Sequence, residues 1–371
     1  MNKGGSYLKK FLFLLNIFAA MGLLLAYCAG YVPPARFWPL AFLGLAYPVL
    51  LILNLAFILL WLIAWKRIIF LSIITIGLGW NSLRTIYPYR LMNPKPGSAV
   101  TLKTVTYNVH SLYGSQWREH SPDAKSKVTE FLVQQKADII CIQEFFAMGE
   151  DYSQTLMKFT RSIQLDYYFF KNYQEFYNKQ KINAIATFSR YPIVNTGSFK
   201  MADHSLFAIY SDIVLNRDTI RVYNVHLESI RFGDEDYSFY SHLTEPDKEV
   251  IPIKKGSLHM ISKLRKAFVL RSSEVNILEK HIEHCPYPVI LTGDFNDSPS
   301  SYSYHQLTTH LTDSYVAAGN GLFESTYAGK FPSFRIDYIL CSAKFGATVY
   351  NKFDVDYSDH YPVTATLVVH P

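Results

Sequence analysis

The sequence is poor in cysteine, with four in 371 residues, and no two of them form a Cys-x-x-Cys pair. This scarcity argues against a disulfide-dense scaffold and against a cysteine-ligated zinc site. Cys28 lies in an apolar run and Cys141 in a strand-like run, so we expect all four cysteines to be small buried hydrophobic residues.

Acidic residues are absent from the first 83 residues, where apolar side chains dominate. Uncharged runs extend over Phe11–Val32, Phe37–Trp65 and Ile68–Leu83. A helix needs about 20 apolar residues to cross the core of a bilayer, and the first two runs exceed that length. Burial inside a soluble domain is the alternative, but no soluble partner is large enough to hide both runs. The sequence therefore predicts transmembrane helices.

The third run is shorter and is interrupted by Gly77 and Gly79. We favour a third span here, and an interfacial or re-entrant segment is the alternative. These patterns predict three parts. They are a membrane region over residues 1–90 with about three transmembrane helices, a linker over 91–99 and a soluble domain over 100–371.

Basic residues flank the apolar runs unevenly, which predicts an orientation. Lys9 and Lys10 begin the first run, and Lys66 and Arg67 end the second. Both pairs belong on the cytoplasmic side by the positive-inside rule. Three spans then place the soluble domain outside the cytoplasm, whereas two spans would place it inside.

The soluble domain alternates strand-like and helix-like segments. Predicted strands cover residues 100–109, 138–143, 182–188, 207–215, 219–225, 288–292, 335–341 and 364–369. Predicted helices cover residues 125–135 and 257–284. Because a hairpin also occurs among these elements, the pattern indicates a layered α/β fold with mixed sheets and not a purely parallel one.

Polar residues of catalytic type recur where these strands begin or end. They are Asn108, Glu144, His226, Asp294, Asn296, Asp337, Asp359 and His360. Each one alone is ordinarily a turn residue, a cap or a solvated charge. Functional sites collect at strand ends in layered α/β folds, so their recurrence there favours one shared site.

The residue types in this set favour a hard cation. Asparagine and carboxylate oxygens without a thiolate suit Mg²⁺ or Mn²⁺. Two histidines beside several carboxylates are able to activate water and to stabilise charge on a phosphate group. The set therefore predicts metal-assisted displacement at phosphorus.

Six short motifs surround these residues in sequence order. They are Thr106-Tyr107-Asn108-Val109, Ile142-Gln143-Glu144, Asn224-Val225-His226-Leu227, Thr292-Gly293-Asp294-Phe295-Asn296-Asp297, Arg335-Ile336-Asp337-Tyr338-Ile339 and Ser358-Asp359-His360-Tyr361-Pro362-Val363. In this order they resemble the motifs of the endonuclease/exonuclease/phosphatase (deoxyribonuclease-I-like) superfamily. The resemblance extends from about residue 100 to the C-terminus. It implies a four-layered α/β sandwich of two mixed β-sheets flanked by helices, and a Mg²⁺-dependent hydrolase of phosphoric esters.

The resemblance also implies roles for these residues. Glu144 would be the main metal-binding carboxylate, with Asn108 beside it and Asp359 closing the metal shell. Asp294 and Asn296 would orient the attacking water and the phosphate.

Three further residues complete the set that the resemblance implies. His360 would act as general base or phosphate stabiliser, held in one tautomer by Asp337. His226 would contact the scissile phosphate and help to protonate or stabilise the leaving group. The number of metal ions that act at once stays open.

The substrate does not follow from the fold, because the superfamily cleaves nucleic acids, inositol phosphates, phosphoinositides, sphingomyelin and nucleotide derivatives. A polar insertion at 228–256 follows His226, where it would wall the site. The segment Lys181-Ile182-Asn183 departs from the Gly that relatives often carry before the next strand. Both departures bear on substrate choice and leave the expected reaction unchanged.

We favour a phospholipid or its headgroup as the substrate, because a membrane anchor keeps the site beside the lipid bilayer. The acid-free stretch Lys254–Arg271 carries six basic residues that suit anionic headgroups, a nucleic-acid backbone or plain solvation. A membrane-tethered nuclease acting on DNA or RNA is the second hypothesis, and an inactive binding module is the third. An anchor of this kind without eukaryotic targeting signals fits a bacterial inner membrane, with the catalytic domain in the periplasm.

Overall fold

The computed structural model describes most of the chain. The described residues are 3–64, 66–89, 100–112, 123–148, 152–176, 181–203, 205–233, 235–238, 253–321, 324–329 and 334–370. The predicted linker at 91–99 and residues 239–252 of the insertion lie outside this set.

The described part of the N-terminal region is mostly helical. Its helices are α1 (Lys3–Cys28), α2 (Pro34–Phe37), α3 (Pro39–Leu45), α4 (Tyr47–Ile63), α5 (Ile69–Leu78) and α6 (Trp80–Ile86). α1 alone is long and apolar enough to cross a membrane. The pairs α3–α4 and α5–α6 are long and apolar enough only together, and they bend by 62° and 69°. The described residues therefore hold one candidate span, or three if each bent pair is one span.

The bend between α3 and α4 has a cause in the sequence. Pro48 lies in the first turn of α4, and proline has no N–H to donate to the preceding turn. The preceding helix α3 therefore ends before Pro48, at Leu45, with Ala46 as its cap. Hydropathy shows only one continuous apolar run here, because Pro48 is itself uncharged.

Buried polar side chains join three of these helices. The Asn16 side chain on α1 donates a 2.8 Å hydrogen bond to Ser72 Oγ on α5 and accepts a 2.9 Å bond from Trp61 Nε1 on α4. An unpaired amide is costly in apolar surroundings. These bonds therefore favour one arrangement of α1, α4 and α5.

Two six-stranded mixed sheets form the core of the described residues from Val100 onward. In spatial order the first contains β11 (Phe345–Lys352), β12 (Val363–Val369), β1 (Thr101–Asn108), β2 (Ile139–Met148), β4 (Lys181–Ser189) and β3 (Tyr167–Phe176). The second contains β5 (Ile193–Lys200), β6 (Leu206–Leu215), β7 (Asp218–His226), β8 (Val289–Asp294), β10 (Asp337–Cys341) and β9 (Thr312–Asp313). The pairs β1–β2 and β7–β8 are parallel, and the other described pairs are antiparallel.

Helices cover the outer face of each sheet and complete four layers. They are α7 (Ala124–Gln135) and α8 (Tyr152–Ser162) on the first sheet, and α9 (Ile253–Glu283) and α10 (Tyr302–Thr308) on the second, with α11 (Ser314–Ala318) at one end. Successive strand residues point to opposite faces. Cys141 accordingly packs between the sheets, while Ile140 and Ile142 pack beneath the helices. The predicted four-layered α/β sandwich is confirmed.

The cysteines differ in part from the expectation. All four are free thiols, and Cys141 and Cys341 are buried as predicted. Cys28 is exposed and Cys285 is partly exposed, because Cys28 ends α1 and Cys285 follows the end of α9. The prediction of four buried cysteines is therefore wrong for these two.

Candidate active site

Three neighbouring strands present their terminal side chains at one edge of the second sheet. The register pairs His226 of β7 with Asp294 of β8, and Asp294 with Asp337 of β10. Residues that face each other across a ladder lie about 5 Å apart. The strand pairing alone therefore gathers an imidazole and two carboxylates from distant parts of the chain.

His360 and Asp337 form the most buried part of the site. His360 Nδ1 lies 3.0 Å from Asp337 Oδ2, and His360 Nε2 lies 3.7 Å from Asp294 Oδ2. Burial by itself would lower the pKa of His360. The carboxylates of Asp337 and Asp294 outweigh that effect and raise the pKa of His360 well above its ordinary value.

Asp294 is the hub of the hydrogen bonds in the site. The Asn108 side chain donates to Asp294 Oδ2 at 3.0 Å, and Asn296 donates to Asp294 through its backbone at 2.7 Å and its side chain at 3.2 Å. His226 Nε2 lies 3.7 Å from Asp294 Oδ2. The motifs at the ends of β1, β7 and β8 therefore meet at one buried carboxylate.

Glu144 occupies an irregular position inside β2. Its φ is 52°, and the pairing with β4 shifts register between Ile142 and Phe145. This irregularity places its carboxylate 3.4 Å from Asn108 Nδ2 and 3.7 Å from His226 Nε2. We predicted that the strand would end here, but it continues to Met148, because a bulge re-aims one side chain without ending the pairing.

Gly293 allows Asp294 to reach the site. Its φ is 140°, and a Cβ at this position would lie 2.0 Å from the carbonyl oxygen of Val225. Only glycine adopts this backbone conformation without strain. Steric constraints therefore explain why the Thr292–Asp297 motif has glycine at position 293.

His110 belongs to the site although it was not among the predicted residues. Its Nδ1 lies 2.9 Å from Asp359 Oδ1. Burial would raise the pKa of Asp359, but the hydrogen bond from His110 and the charge of His360 lower it. The sequence did contain a signal for His110, because it follows Asn108 by two residues just after the end of β1. A histidine at a strand end could have been included among the candidate site residues.

A buried polar network connects the two sheets behind the site. Gln143, next to Glu144, donates a 2.7 Å hydrogen bond to Asn224, which lies two residues before His226. Asn224 in turn donates to the carbonyl oxygen of Ala186 at 2.9 Å. Satisfied buried networks of this kind fix one arrangement, here that of Glu144 relative to His226.

The predicted residues share one cavity of about 610 Å³. Seven of them line it, and Asp337 lies behind His360. The seven are Asn108, Glu144, His226, Asp294, Asn296, Asp359 and His360. The described part of the predicted insertion also lines the cavity, through Ser229, Ile230, Arg231, Phe232 and Tyr237.

Two cations of the basic stretch 254–271 have internal partners. Lys263 forms a 2.5 Å ion pair with Asp236. Arg271 is buried, lines the cavity and places its Nε 3.2 Å from Asp297 Oδ2. This part of the stretch is therefore not a simple solvated face.

The donor set fits a divalent cation. The carboxylates of Glu144, Asp294, Asp337 and Asp359 lie in one site. Within the described residues, none of the four forms an ion pair with lysine or arginine. Carboxylate and amide oxygens are the ligands that Mg²⁺ and Mn²⁺ prefer. Asp294, Asp337 and His360 also offer ligand atoms within 4.8 Å of one another.

The fold and this site together define an α/β sandwich with an acidic, imidazole-containing centre at its strand ends. Residues 105–360, more than half of the chain, match the model of the Endonuclease/Exonuclease/phosphatase family. The chain therefore belongs to the endonuclease/exonuclease/phosphatase family, whose name describes hydrolases of phosphate esters. Residues 9–86 match a separate domain of unknown function. No curated protein sequence matches the chain.

Solved structures support the same fold. An endonuclease/exonuclease/phosphatase from Beutenbergia cavernae is 15% identical with a TM-score of 0.52, and the match covers 72% of each chain. A family protein from Bacteroides thetaiotaomicron is 16% identical with a TM-score of 0.51, covering 74% of this chain and 99% of that one. The human Nocturnin catalytic domain with bound sulfate is 15% identical with a TM-score of 0.50, covering 75% and 97%.

Proposed function

We propose that this protein is a membrane-anchored phosphoesterase that uses Mg²⁺ or Mn²⁺ to hydrolyse a phosphate ester of a phospholipid or of its headgroup. The cavity is the observation that carries this proposal. It contains the acidic site and also side chains of α3 and α4 from the predicted membrane region. A phosphate ester at the membrane is the substrate that suits both parts.

In this proposal Glu144, Asn108 and Asp359 hold the cation. The bound cation would supply positive charge to the phosphate oxygens and lower the pKa of a coordinated water. Among the residues of the chain, Asp294 and Asn296 orient the attacking water. The hydrogen bonds from Asn108 and Asn296 to Asp294 fix the direction of that carboxylate.

His360 stabilises negative charge on the phosphate and transfers a proton through Nε2. Asp337 holds its Nδ1, so only Nε2 faces the cavity. The raised pKa keeps His360 as an imidazolium, the form that binds a phosphate oxygen. Once neutralisation of the nearby carboxylates lowers that pKa, the imidazolium releases its Nε2 proton to solvent. The neutral Nε2 is then able to accept a proton from the attacking water. His226 contacts the scissile phosphate and the leaving oxygen.

We further propose that residues 1–90 form the membrane region, 91–99 a linker and 100–371 the catalytic domain. The change from helices before residue 90 to sheets from residue 101 supports this division, and contacts join the two parts at one end of the helices. Tyr31 packs on His305 with ring centroids 4.2 Å apart, and Arg335 Nη2 donates to the carbonyl oxygen of Thr85 at 3.2 Å. The catalytic domain thus meets the C-terminal ends of α1 and α6.

The same contacts support the proposed side of the membrane. Lys9 and Lys10 lie toward the N-terminus of α1, and Lys66 and Arg67 follow α4. Both pairs are therefore remote from the ends that contact the catalytic domain. With these cations in the cytoplasm, the catalytic domain lies in the periplasm of a bacterial inner membrane.

The test is Mg²⁺-dependent phosphate or headgroup release by the full-length protein in nanodiscs. Phospholipids, phosphoinositides and single- and double-stranded DNA are compared side by side, with Glu144→Gln and His360→Asn as blanks. Turnover of lipids that both variants abolish supports the proposal. Salt-sensitive cleavage of DNA without lipid turnover identifies a tethered nuclease instead. If a folded, metal-binding protein turns over none of these substrates, the result contradicts the proposal and favours the hypothesis of an inactive binding module.

A further inference from the structure

The cavity beside the acidic site has a second, apolar wall that the proposed chemistry does not use. We call it the tail wall. It consists of Phe42, Leu45 and Val49 from α3 and α4, and of Met260, Leu264 and Phe268 from α9. It carries no charged side chain. The whole cavity, at about 610 Å³, has the size of a site for a small ligand.

Close contacts hold the two halves of the tail wall together. Phe42 and Phe268 pack edge to face with ring centroids 5.3 Å apart, and the Arg265 guanidinium lies 5.4 Å from the Trp38 ring centroid. A Cβ on Gly44 would lie 3.0 Å from the carbonyl oxygen of Ser300. The small residue at position 44 therefore lets α3 approach the loop that follows Asn296.

The bend at Ala46 directs the tail wall toward the site. Phe42 and Leu45 end α3, and Val49 lies in the first turn of α4. Because Pro48 ends the preceding helix, residues before and after the bend both reach the cavity. Part of the predicted membrane segment Phe37–Trp65 therefore forms one wall of the cavity.

The tail wall continues onto surface that we expect to face lipid. Val49 lines the cavity and is also 60% exposed, and on the same helix Ile52 is 54% exposed. On α9, Leu258 and Ile261 add exposed apolar side chains. An exposed apolar surface of this kind, beside predicted membrane helices, indicates contact with a bilayer.

We propose that the tail wall binds the hydrocarbon chain of the substrate, which enters sideways from the bilayer past Val49 while its phosphate lies among Glu144, His226 and His360. This inference rests on the proposed function and specifies its substrate class. The substrate is a phosphate ester that carries a long hydrocarbon chain. A chain that moves from bilayer to tail wall never enters water, where each methylene is unfavourable. The N-terminal helices are then part of the active site as well as an anchor.

A chain-length series tests the inference in the full-length protein. Alkyl phosphates with 4, 8 and 16 carbons are hydrolysed by the wild type, Val49→Trp and Ile52→Trp. Each methylene favours transfer of the ester from water into the bilayer by up to about fourfold, which concentrates long-chain esters beside the tail wall. We therefore expect the wild type to prefer the longest chain by about tenfold or more in kcat/KM. Val49→Trp fills the tail wall and abolishes that preference.

Ile52→Trp is the matched control, because Ile52 is similarly exposed on α4 but does not line the cavity. It should keep the preference of the wild type. Hydrolysis of all chain lengths with equal kcat/KM, or equal effects of both tryptophans, overturns the inference and leaves the proposed function standing. Failure to hydrolyse both the alkyl phosphates and the phospholipids of the earlier test overturns both.

Photocrosslinking provides a readout that needs no turnover. The His360→Asn variant in nanodiscs is irradiated with a 16-carbon alkyl phosphate that carries a diazirine at the chain end. Labelled peptides from residues 38–49 or 257–268, competed by unlabelled long-chain but not short-chain phosphate, support the inference. Labelling confined to other segments overturns it.

Discussion

Asp337, which lies behind the cavity, and His360, which lines it, are both buried and are joined by a 3.0 Å hydrogen bond. The bond occupies Nδ1 of the imidazole and leaves Nε2, which lies 3.7 Å from Asp294, facing the other site residues. The pairing of β8 with β10 places Asp337 opposite Asp294. The orientation of His360 therefore depends on strand register as well as on its own loop.

Replacement of this carboxylate should impair catalysis more than folding. Asp337→Asn keeps the size of the side chain but removes the negative charge that stabilises an imidazolium. We expect kcat to fall by about 10²- to 10⁴-fold, the range for a mispositioned acid–base group, while KM changes by only a few fold. Steady-state kinetics measure this, with the thermal unfolding midpoint as the control for folding. A folded variant with nearly normal kcat would show that Asp337 does not position His360 for catalysis.

Metal binding should be visible without any substrate. Because four carboxylates share the site without a lysine or arginine partner among the described residues, a divalent cation should relieve their repulsion. At about 100 times its Kd, Mg²⁺ should stabilise the wild type by about 2.7 kcal/mol. Glu144→Gln should show a much smaller increase in thermal unfolding midpoint on titration with Mg²⁺ or Mn²⁺. Equal increases in both proteins would place the cation elsewhere.

The glycine before Asp294 should not tolerate a side chain. Gly293→Ala places a methyl group against the Val225 carbonyl oxygen at a φ of 140°, and such strain costs about 1–3 kcal/mol before the clash is counted. We expect a lower unfolding midpoint and loss of activity. Gly321→Ala is the control, since its Cβ would meet only ordinary contacts at 3.5 and 3.6 Å. Comparable stability of the two variants would contradict the steric argument.

Glu274 should make the protein less stable as pH rises. Burial raises the pKa of this carboxyl from 4.5 to about 7, so the folded state binds its proton more tightly than the unfolded state does. The stabilisation is complete below pH 4.5, falls as pH rises through 7 and amounts to about 3 kcal/mol at most.

The variant Glu274→Gln isolates this effect. Glutamine keeps an oxygen to accept the 2.9 Å hydrogen bond from the Glu228 N–H and does not titrate. Thermal unfolding at pH 5 and pH 8 should show a smaller decrease in midpoint for the variant than for the wild type. The same decrease in both proteins would show that Glu274 is not the titrating group.

The strands that carry the site were predictable, and several edge strands were not. β1, β7 and β8 are rich in β-branched and aromatic residues and are mostly buried, and segments of this composition are visible in a sequence. β3, β5 and β11 lie at sheet edges, and β5 is largely exposed. An edge strand has one pairing partner and a solvated side, so it lacks a strong apolar pattern.

Long-range contacts limited the prediction of the site. The predicted residues did gather at or directly behind one cavity, because each one lies within a buried strand or close to one of its ends. His110 was missed, since its partner Asp359 lies 249 positions later in the sequence. The contact between α3 and α9 was also missed, because hydropathy reports that Phe42 and Phe268 are apolar and not that they touch.

The most direct measurement is the isotope content of the phosphate released by the full-length protein in H₂¹⁸O. Wild-type protein with Mg²⁺ is compared with Glu144→Gln on a long-chain phosphate ester. Attack of water on phosphorus predicts one ¹⁸O atom in each released phosphate, unlabelled alcohol, and no release by the variant. Label in the alcohol, or release that depends on neither Mg²⁺ nor Glu144, would contradict the account.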